Sequence, residues 1–184
     1  MRVAISGFSG CGNTTVTKLV AERLGIKQIN YTMHDMAREA GIPFEEFHRQ
    51  AEEKFPEVDF ELDSKQLQMI LASPDCIIGS RLAIYLDSKE VLDKLGSTEE
   101  QRFSFDRKFW LEAPVEVRAQ RIAEREGRGL QETIESVKAR DAADSSRYER
   151  AYKVNMLEHS FAKAVNAGGQ TAEEVAAEIA GCVS

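Results

Sequence analysis

The sequence predicts a single α/β domain in which helices cover both faces of a parallel β-sheet. The first observation is that short apolar runs alternate with segments whose apolar residues recur at helical spacing, a pattern typical of parallel sheets. The second is size, because 184 residues, 42% of them hydrophobic, suffice for one substantial core. The third is a glycine-rich segment between the first predicted strand and the first predicted helix.

The first half of the chain is predicted to contain three short strands and four helices. The strands are expected at residues 2–6, 28–30 and 76–78, and the helices at residues 14–24, 34–40, 43–53 and 63–72. The first helix has Val16 and Val20 one turn apart and is expected to end at Gly25. Gly41 separates the second helix from the third.

The second half is predicted to contain two more strands and three helices. The strands are expected at residues 108–111 and 164–166, and the helices at residues 115–126, 130–153 and 172–180. Thr171 is expected to cap the last helix, whose first turn contains Glu173. The polar segment at residues 88–106 lacks a clear period and is treated as an insertion, either a loop or a helix with a loop. Its Phe103 and Phe105 are expected to fold onto the body or to form a partner surface.

The formal net charge is -7, from 24 basic and 31 acidic residues. Dedicated binders of duplex DNA or of anionic membranes usually carry net positive charge, so the acidic balance argues against both functions. No apolar run reaches the ~20 residues of a membrane span, and the chain starts without the apolar leader of a signal peptide. Cys11, Cys76 and Cys182 form no CxxC pair, so neither a disulfide framework nor a zinc site is predicted. We therefore expect a cytoplasmic protein.

Positive charge is concentrated in one part of this acidic chain. Residues 115–153 contain half of the fourteen arginines, with nine basic and eight acidic residues in all. Two sets have helical spacing: Arg118, Arg121 and Arg125 in one predicted helix, and Arg140, Asp144 and Arg147 in the next. Arginine holds phosphate bidentately and stays protonated, so these sets predict phosphate binding. The alternative is a solvated helix surface with ion pairs such as Glu124 with Arg128.

The glycine-rich segment GFSGCGNTT, at residues 7–15, has the position and spacing of a phosphate loop of the form GxxxxGK[ST]. Its glycines let backbone N–H groups face an anion, the following helix adds its dipole, and Thr14 can reach Mg²⁺. Asn13 replaces the usual lysine, and Lys18 lies one turn further along. The predicted phosphate-binding residues are Gly7, Ser9, Gly10, Cys11, Gly12, Asn13, Thr14 and Thr15. The alternative is a strand–helix turn that binds no ligand.

Three segments carry a family resemblance: the loop GFSGCGNTTV, the segment APVEVRAQRIAEREG and the block RDAADSSRYE. AREAGIPFEEF, PEVDFELDSKQ and GSRLA extend it. Together they resemble the archaeal-type cytidylate kinases, within the nucleoside monophosphate kinases, over roughly residues 1–86 and 108–169. The resemblance implies a three-layer P-loop kinase fold with a five-stranded parallel sheet. It also implies a helical insertion near residues 33–72 that binds the nucleoside monophosphate, and an arginine-rich lid near residues 121–147, within one domain of residues 1–184.

The resemblance implies transfer of the γ-phosphoryl group of ATP to CMP or dCMP, with Mg²⁺ bound at Thr14. The loop would bind ATP, and the residues implied in catalysis are Arg121, Arg125 and Arg140. The residues implied in substrate binding are His34, Arg38, Asp63, Arg81, Arg140, Asp144 and Arg147. In this scheme Asp144 reads the ribose hydroxyls, and Asp63 and Gln66 close over the base. We expect small-molecule nucleotides as partners, no nucleic acid or membrane, and a monomer or weak homo-oligomer.

Three positions depart from the family pattern. Asn13 replaces the loop lysine, His34 stands where an arginine binds phosphate, and Gly79 stands where an acid lies near Mg²⁺. Arg38, one turn after His34, is the expected substitute for that arginine. Two alternatives therefore stay open: a nucleotide-binding regulator without turnover, and a kinase for another nucleoside monophosphate or a small metabolite.

Aromatic and terminal positions outside these motifs have simpler interpretations. Trp110 is expected in the core of the sheet, and His48 and His159 on the surface. Asn166 and Ala167, after the last predicted strand, are expected to contact adenine through backbone atoms.

Overall fold

The computed structural model describes residues 1–183. One parallel sheet contains five strands: β1 (Arg2–Gly7), β2 (Lys27–Ile29), β3 (Cys76–Gly79), β4 (Arg107–Glu112) and β5 (Lys163–Asn166). The strand order is β2-β3-β1-β4-β5, so β1 lies at the centre. The described residues form eight α-helices: α1 (Asn13–Leu24), α2 (Met33–Ala40), α3 (Phe44–Glu53), α4 (Glu57–Leu71), α5 (Lys89–Lys94), α6 (Val115–Glu126), α7 (Leu130–Tyr152) and α8 (Ala172–Gly181). This architecture confirms the predicted fold class.

Each face of the sheet has its own core, because alternate residues of a strand point to opposite faces. Val3 and Ile5 of β1 pack in a cluster with residues of α1 and α8. Ala4, between them, packs in a second cluster with Ile78 and Trp110. Trp110 is only 2% exposed, which confirms its predicted place in the core. The central strand reads as one apolar run because both of its faces are covered.

Between β2 and β3 the chain forms the three helices α2, α3 and α4, hereafter the α2–α4 insertion. Helix α4 begins at Glu57, six residues before the predicted start at residue 63. The first buried positions of its inner face are polar, namely Asp59, Asp63 and Gln66. A search for apolar periodicity therefore finds only the second half of this helix.

The segment at residues 88–106 is ordered rather than a bare loop. It contains α5, which begins after Ser88, and a short 3-10 helix over Glu99–Gln101. Phe105 is 8% exposed and packs with the core cluster, and its ring contacts Phe103 edge to face at 5.1 Å. The two phenylalanines thus fold the segment onto the body. Among residues 1–183 no helix is long and apolar enough to cross a membrane.

Candidate active site

A cavity of about 620 Å³ opens at the carboxyl ends of the strands, where ligands bind in open α/β sheets. Its walls come from the glycine-rich loop, the start of α2, helix α4, the end of β3, and helices α6 and α7. The cavity therefore joins the predicted phosphate loop, the α2–α4 insertion and the arginine-rich helices. Four arginines line it: Arg81, Arg121, Arg125 and Arg140.

The backbone of the loop adopts the conformations that an anion site needs. Gly10 has a φ of 83° and Gly12 a φ of 96°, in the left-handed region that glycine tolerates. A Cβ atom at Gly10 would lie 2.7 Å from the carbonyl oxygen of Arg118, so only glycine fits there. Helix α1 has no side-chain cap and no acidic residue in its first turn. Its first N–H groups are thus left for an anion.

Asn13 does not extend toward a phosphate as a loop lysine would. Its Nδ2 donates a hydrogen bond to the carbonyl oxygen of Gly7 at 2.8 Å. Its Oδ1 is buried and has no hydrogen-bond partner within residues 1–183. Lys18 points to solvent, with its side chain 66% exposed and 3.8 Å from Glu22. Neither residue brings the missing positive charge to the loop.

Cys11 is the one predicted loop residue that the structure turns away from the cavity. It is 3% exposed and packs in the core cluster beside α1 and α8. Burial raises the pKa of its thiol to about 11. Its backbone N–H donates to the carbonyl oxygen of Phe8 at 3.1 Å. The prediction that Cys11 binds phosphate is therefore not supported, because both its thiol and its N–H are engaged inside the fold.

His34 and Arg38 do not reach the cavity either. The His34 ring stacks on Phe44, with centroids 3.6 Å apart and planes 8° from parallel. Arg38 is 75% exposed and pairs with Asp35 at 2.6 Å. Neither lines the cavity, to which this part of α2 contributes Met33. In this geometry the predicted phosphate contact at His34, and its replacement by Arg38, are absent.

Arg81 lies between the loop and α7. Its Nη2 donates to the Ser9 hydroxyl at 2.5 Å. Its Nε lies 2.8 Å from Asp144 Oδ2, an ion pair whose angles fall outside those of a hydrogen bond. Burial raises the pKa of Asp144, and the charges of Arg81 and Arg140 oppose that rise. The predicted substrate residues Arg81 and Asp144 are thus in contact with each other.

The other cavity arginines differ in how many hydrogen bonds and ion pairs they make with other residues of the protein. Arg121 donates to the carbonyl oxygen of Ala167 at 2.6 Å. Arg125 is 69% exposed and pairs with Glu126 at 2.7 Å. Arg140 lines the cavity without a hydrogen bond or ion pair to any described residue. Arg140 is therefore the cavity arginine most available to a ligand.

Arg147 makes a contact that its sequence motif does not reveal. Its Nε and Nη2 donate to the two carboxylate oxygens of Asp59, at 3.0 and 2.5 Å. This bidentate pair joins α7 to α4 and leaves Arg147 outside the cavity wall. The predicted substrate contact of Arg147 is therefore replaced here by a contact between helices. Asp59 escaped prediction, although it lies one turn before Asp63 on the same helix face.

The deep end of the cavity contains a second buried acid. Asp63 is 6% exposed and lines the cavity, and Tyr152 donates a hydrogen bond to it from its hydroxyl. Burial raises the Asp63 pKa to about 7, and the nearby charge of Asp59 adds to the rise. A carboxyl with its pKa raised in this way can accept a hydrogen bond when ionised and donate one when protonated.

Gln66 lies one turn beyond Asp63 and is oriented by the backbone. Its Nε2 donates to the carbonyl oxygen of Tyr31 at 2.8 Å, which fixes the orientation of the amide. Its Oε1 is buried and lacks a partner within residues 1–183, although Gln66 lines the cavity. This unpaired oxygen can accept a hydrogen bond from a ligand.

Gly79 has a steric reason to be glycine. A Cβ atom there would lie 2.0 Å from Thr17 Oγ1, a buried hydroxyl of α1. The acid that the family resemblance implies at this position has no room unless Thr17 moves. The next residue, Ser80, lines the cavity and has a buried hydroxyl without a partner within the described chain. Sequence spacing alone gives no sign of either contact.

The chain matches the model of the cytidylate kinase-like family over residues 2–163. Cytidylate kinase 2 of Borrelia garinii subsp. bavariensis is 37% identical over 163 residues, which cover 87% of this chain and 82% of that protein. Cytidylate kinase of Methanopyrus kandleri is 34% identical over 161 residues, which cover 86% and 80%.

Solved kinases share the fold at low sequence identity. Deoxyadenosine kinase from M. mycoides with bound dATP has a TM-score of 0.61 and 19% identity, covering all of this chain and 99% of that one. Shikimate kinase from Acinetobacter baumannii has a TM-score of 0.59 and 18% identity, covering 99% and 92%. The relatives named as kinases support a nucleotide phosphotransferase. By the family match and these identities, the chain belongs to the cytidylate kinase-like family.

Proposed function

We propose that this protein transfers the γ-phosphoryl group of ATP to CMP or dCMP. The observation that carries the proposal is one cavity that is lined by the glycine-rich loop, by buried polar residues of α4 and by four arginines. The loop suits the phosphates of the donor. The pocket formed by α4 and α7 suits the base and sugar of the acceptor. Phosphoryl transfer needs two such neighbouring sites held in line.

The donor would bind through the N–H groups of the loop and of the first turn of α1, together with Thr14 and Thr15. Mg²⁺ fits the residues present, since the Thr14 hydroxyl lines the cavity and the buried Ser80 hydroxyl has no other partner in residues 1–183. Mg²⁺ commonly keeps several waters and binds through substrate phosphates, so an acid at Gly79 is not required. When bound, the ion neutralises charge on the phosphates of ATP.

The base pocket favours an exocyclic amino group. Oε1 of Gln66 can only accept a hydrogen bond, and the opposite end of its amide is already bonded to Tyr31. The amino group of cytosine is a donor, whereas uracil presents a carbonyl oxygen at the same position. A uracil would therefore leave Gln66 unpaired, at a cost of about 1–3 kcal/mol. Adenine also has an amino group, so the pocket's size must separate AMP from CMP.

The arginines would carry the transfer step through electrostatics. Charge builds up on the transferring group and its neighbours, and preorganised guanidinium groups lower the energy of that state. Arg140 is the least committed of these side chains, and Arg121 and Arg125 line the same cavity from α6. No side chain needs to form a covalent intermediate. Closure of α6 and α7 over the nucleotides would exclude water from the transferring phosphoryl.

The proposal is tested by ADP release from ATP with each of CMP, dCMP, UMP, AMP and GMP. The expected result is turnover with CMP or dCMP at least 10-fold faster, as kcat/KM, than with UMP or the purines. Turnover that prefers AMP or a non-nucleotide acceptor would remove the cytidylate part of the proposal.

A regulator that binds nucleotides without turnover is the second candidate. Asn13 turned back onto Gly7 and His34 stacked on Phe44 favour it, because two expected phosphate contacts are missing. ATP binding measured by titration calorimetry, with no ADP release for any acceptor, would establish this candidate instead of the kinase.

A further inference from the structure

Arg118 lies under the phosphate loop and is almost completely buried, at 6% exposure. It is not one of the residues that line the cavity. Its Nε donates to the carbonyl oxygen of Ala113 at 3.1 Å, and its Nη1 donates to the carbonyl oxygen of Ser9 at 3.0 Å. The same Nη1 donates to Asp141 of α7 at 2.7 Å. One guanidinium group of α6 therefore connects the loop, the segment between β4 and α6, and the middle of α7.

The carbonyl groups of the first four loop residues, Gly7 to Gly10, are turned toward donors of the protein. Asn13 donates to Gly7, the Cys11 N–H donates to Phe8, and Arg118 donates to Ser9. Arg121 approaches the Gly10 carbonyl at 3.5 Å. A carbonyl oxygen that faced a bound phosphate would repel it. Occupying these oxygens removes that repulsion before any ligand arrives.

The bond to Ser9 also orients the next N–H group. In a planar trans peptide the C=O and N–H point in opposite directions. When the Ser9 oxygen bonds Arg118 beneath the loop, the Gly10 N–H points away from Arg118. That N–H has no acceptor among the residues described, and Gly10 lines the cavity. Arg118 thus acts on the anion site through the Ser9–Gly10 peptide and not by touching a phosphate.

Asp141 fixes the position of Arg118 from the acceptor side. It follows Arg140 directly and precedes Asp144 by three residues on α7. The pair is largely buried, with side chains 8% and 16% exposed. Both charges are largely buried, so separating the pair would leave each charge uncompensated. The pair therefore stays together in one geometry.

We infer that Arg118, held by Asp141, is a positioning residue that sets the phosphate loop for ATP and couples it to α7. The inference rests on the proposed function, in that it assumes ATP as the ligand of the loop. It assigns Arg118 a role distinct from that of Arg121 and Arg125, which line the cavity themselves.

The test is the ATP dissociation constant measured by titration calorimetry without an acceptor. Arg118→Met with Asp141→Asn removes both charges, so no buried lone charge threatens folding. We expect at least 10-fold weaker ATP binding by this double variant. Arg128→Met with Glu132→Gln removes an exposed ion pair where α6 is joined to α7, and should stay within twofold of the unaltered protein.

Arg118→Lys separates positioning from structural support. Lysine can pair with Asp141, but its nitrogen lies one bond short of Nη1 and it has no donor in place of Nε, so it cannot hold Asp141, Ser9 and Ala113 together as Arg118 does. A positioning role predicts weak ATP binding in this variant despite an unchanged circular dichroism spectrum. Recovery of full ATP affinity by lysine would overturn the inference.

The remaining outcomes separate the inference from the proposed function. A folded double variant that binds ATP within twofold of the unaltered protein overturns the inference alone. An unaltered protein that binds ATP but shows no turnover overturns the kinase proposal, while the change in dissociation constant still decides the role of Arg118. An unaltered protein that fails to bind ATP overturns both.

Discussion

The two halves of the cavity are built in different ways. The donor half of the proposed site is a contiguous stretch of nine residues, in which the carbonyls of Gly7 to Gly10 face protein donors and the Gly10 N–H has no acceptor among the described residues. The acceptor half is assembled from side chains of α4 and α7 that lie nearly 90 residues apart, such as Asp59 and Tyr148. An anion can be held by local backbone geometry. Recognition of a particular base needs side chains that only the fold brings together.

The halves also differ in charge and burial. Asp59, Asp63 and Gln66 in the acceptor half are each less than 10% exposed. The loop side has Thr14 and Thr15 open to solvent. Buried polar groups discriminate strongly because an unmatched ligand leaves them unpaired. The donor half is therefore suited to binding phosphate generally, and the acceptor half to choosing the substrate.

The largest effect is expected from Arg140, where the two halves meet. Arg140→Met removes the cavity arginine that has no protein partner among the described residues, and should lower kcat about 10²- to 10³-fold. Arg150→Met, an exposed arginine ten residues later on α7 and outside the cavity, is the control and should leave kcat within twofold. Steady-state ADP release measures both. A fall of less than fivefold in Arg140→Met would place the transferring phosphoryl elsewhere.

Asp63 makes the acceptor half sensitive to pH. Its pKa in the folded protein, about 7, lies above the ordinary value of 3.8, so the proton stabilises the folded state. That stabilisation is complete below about pH 4 and is lost as the pH rises through 7. The amide oxygen in Asp63→Asn can still accept the hydrogen bond from Tyr152. This variant should therefore not lose stability with rising pH in this way, a loss of at most about 4 kcal/mol in the free energy of unfolding.

Urea unfolding at pH 5 and pH 8 measures the difference. The free energy of unfolding of the unaltered protein should fall between these pH values by more than that of Asp63→Asn. Glu61→Gln, an exposed position on the same helix, is the control and should follow the unaltered protein. Equal pH dependence of Asp63→Asn and the unaltered protein would show that Asp63 is ionised throughout.

Gln66 tests whether the acceptor half selects the base. Gln66→Leu removes the unpaired acceptor, so kcat/KM for CMP should fall about 10- to 100-fold. The kcat/KM for UMP should change much less, so the ratio of kcat/KM for CMP to that for UMP should become smaller. Competition between CMP and UMP for ADP release measures this directly. Gln68→Leu on the same helix, outside the cavity, is the control. An unchanged preference would mean that another group reads the base.

Asn13 should give the smallest effect, because the donor half relies on backbone groups. Asn13→Lys adds a charge near the phosphates but breaks the bond to the Gly7 carbonyl, so the gain in ATP affinity should be about threefold to 10-fold. Titration calorimetry with ATP and with adenosine measures it. The affinity for adenosine should not change. A loss of ATP affinity would show that the Gly7 bond matters more than the added charge.

Local signals account for most of what could be predicted. The phosphate loop lies within nine residues between a strand and a helix, and its glycines mark the backbone conformation. The parallel sheet and the helices of the second half follow from the alternation of short apolar runs with segments of helical periodicity. The start of α4 was missed because its buried face is polar, and the same polar face is what makes it part of the candidate site.

The sequence by itself determined the fold class, the position of the glycine-rich loop and the arginine-rich helices, because these depend on spacing within short segments and on the order of those segments. Only the tertiary structure decided which side chains meet. It paired Arg147 with Asp59, stacked His34 on Phe44, buried Cys11 and placed Arg118 beneath Ser9. Such contacts depend on the packing of elements distant in the chain, where sequence periodicity gives the face of a helix but not its partner.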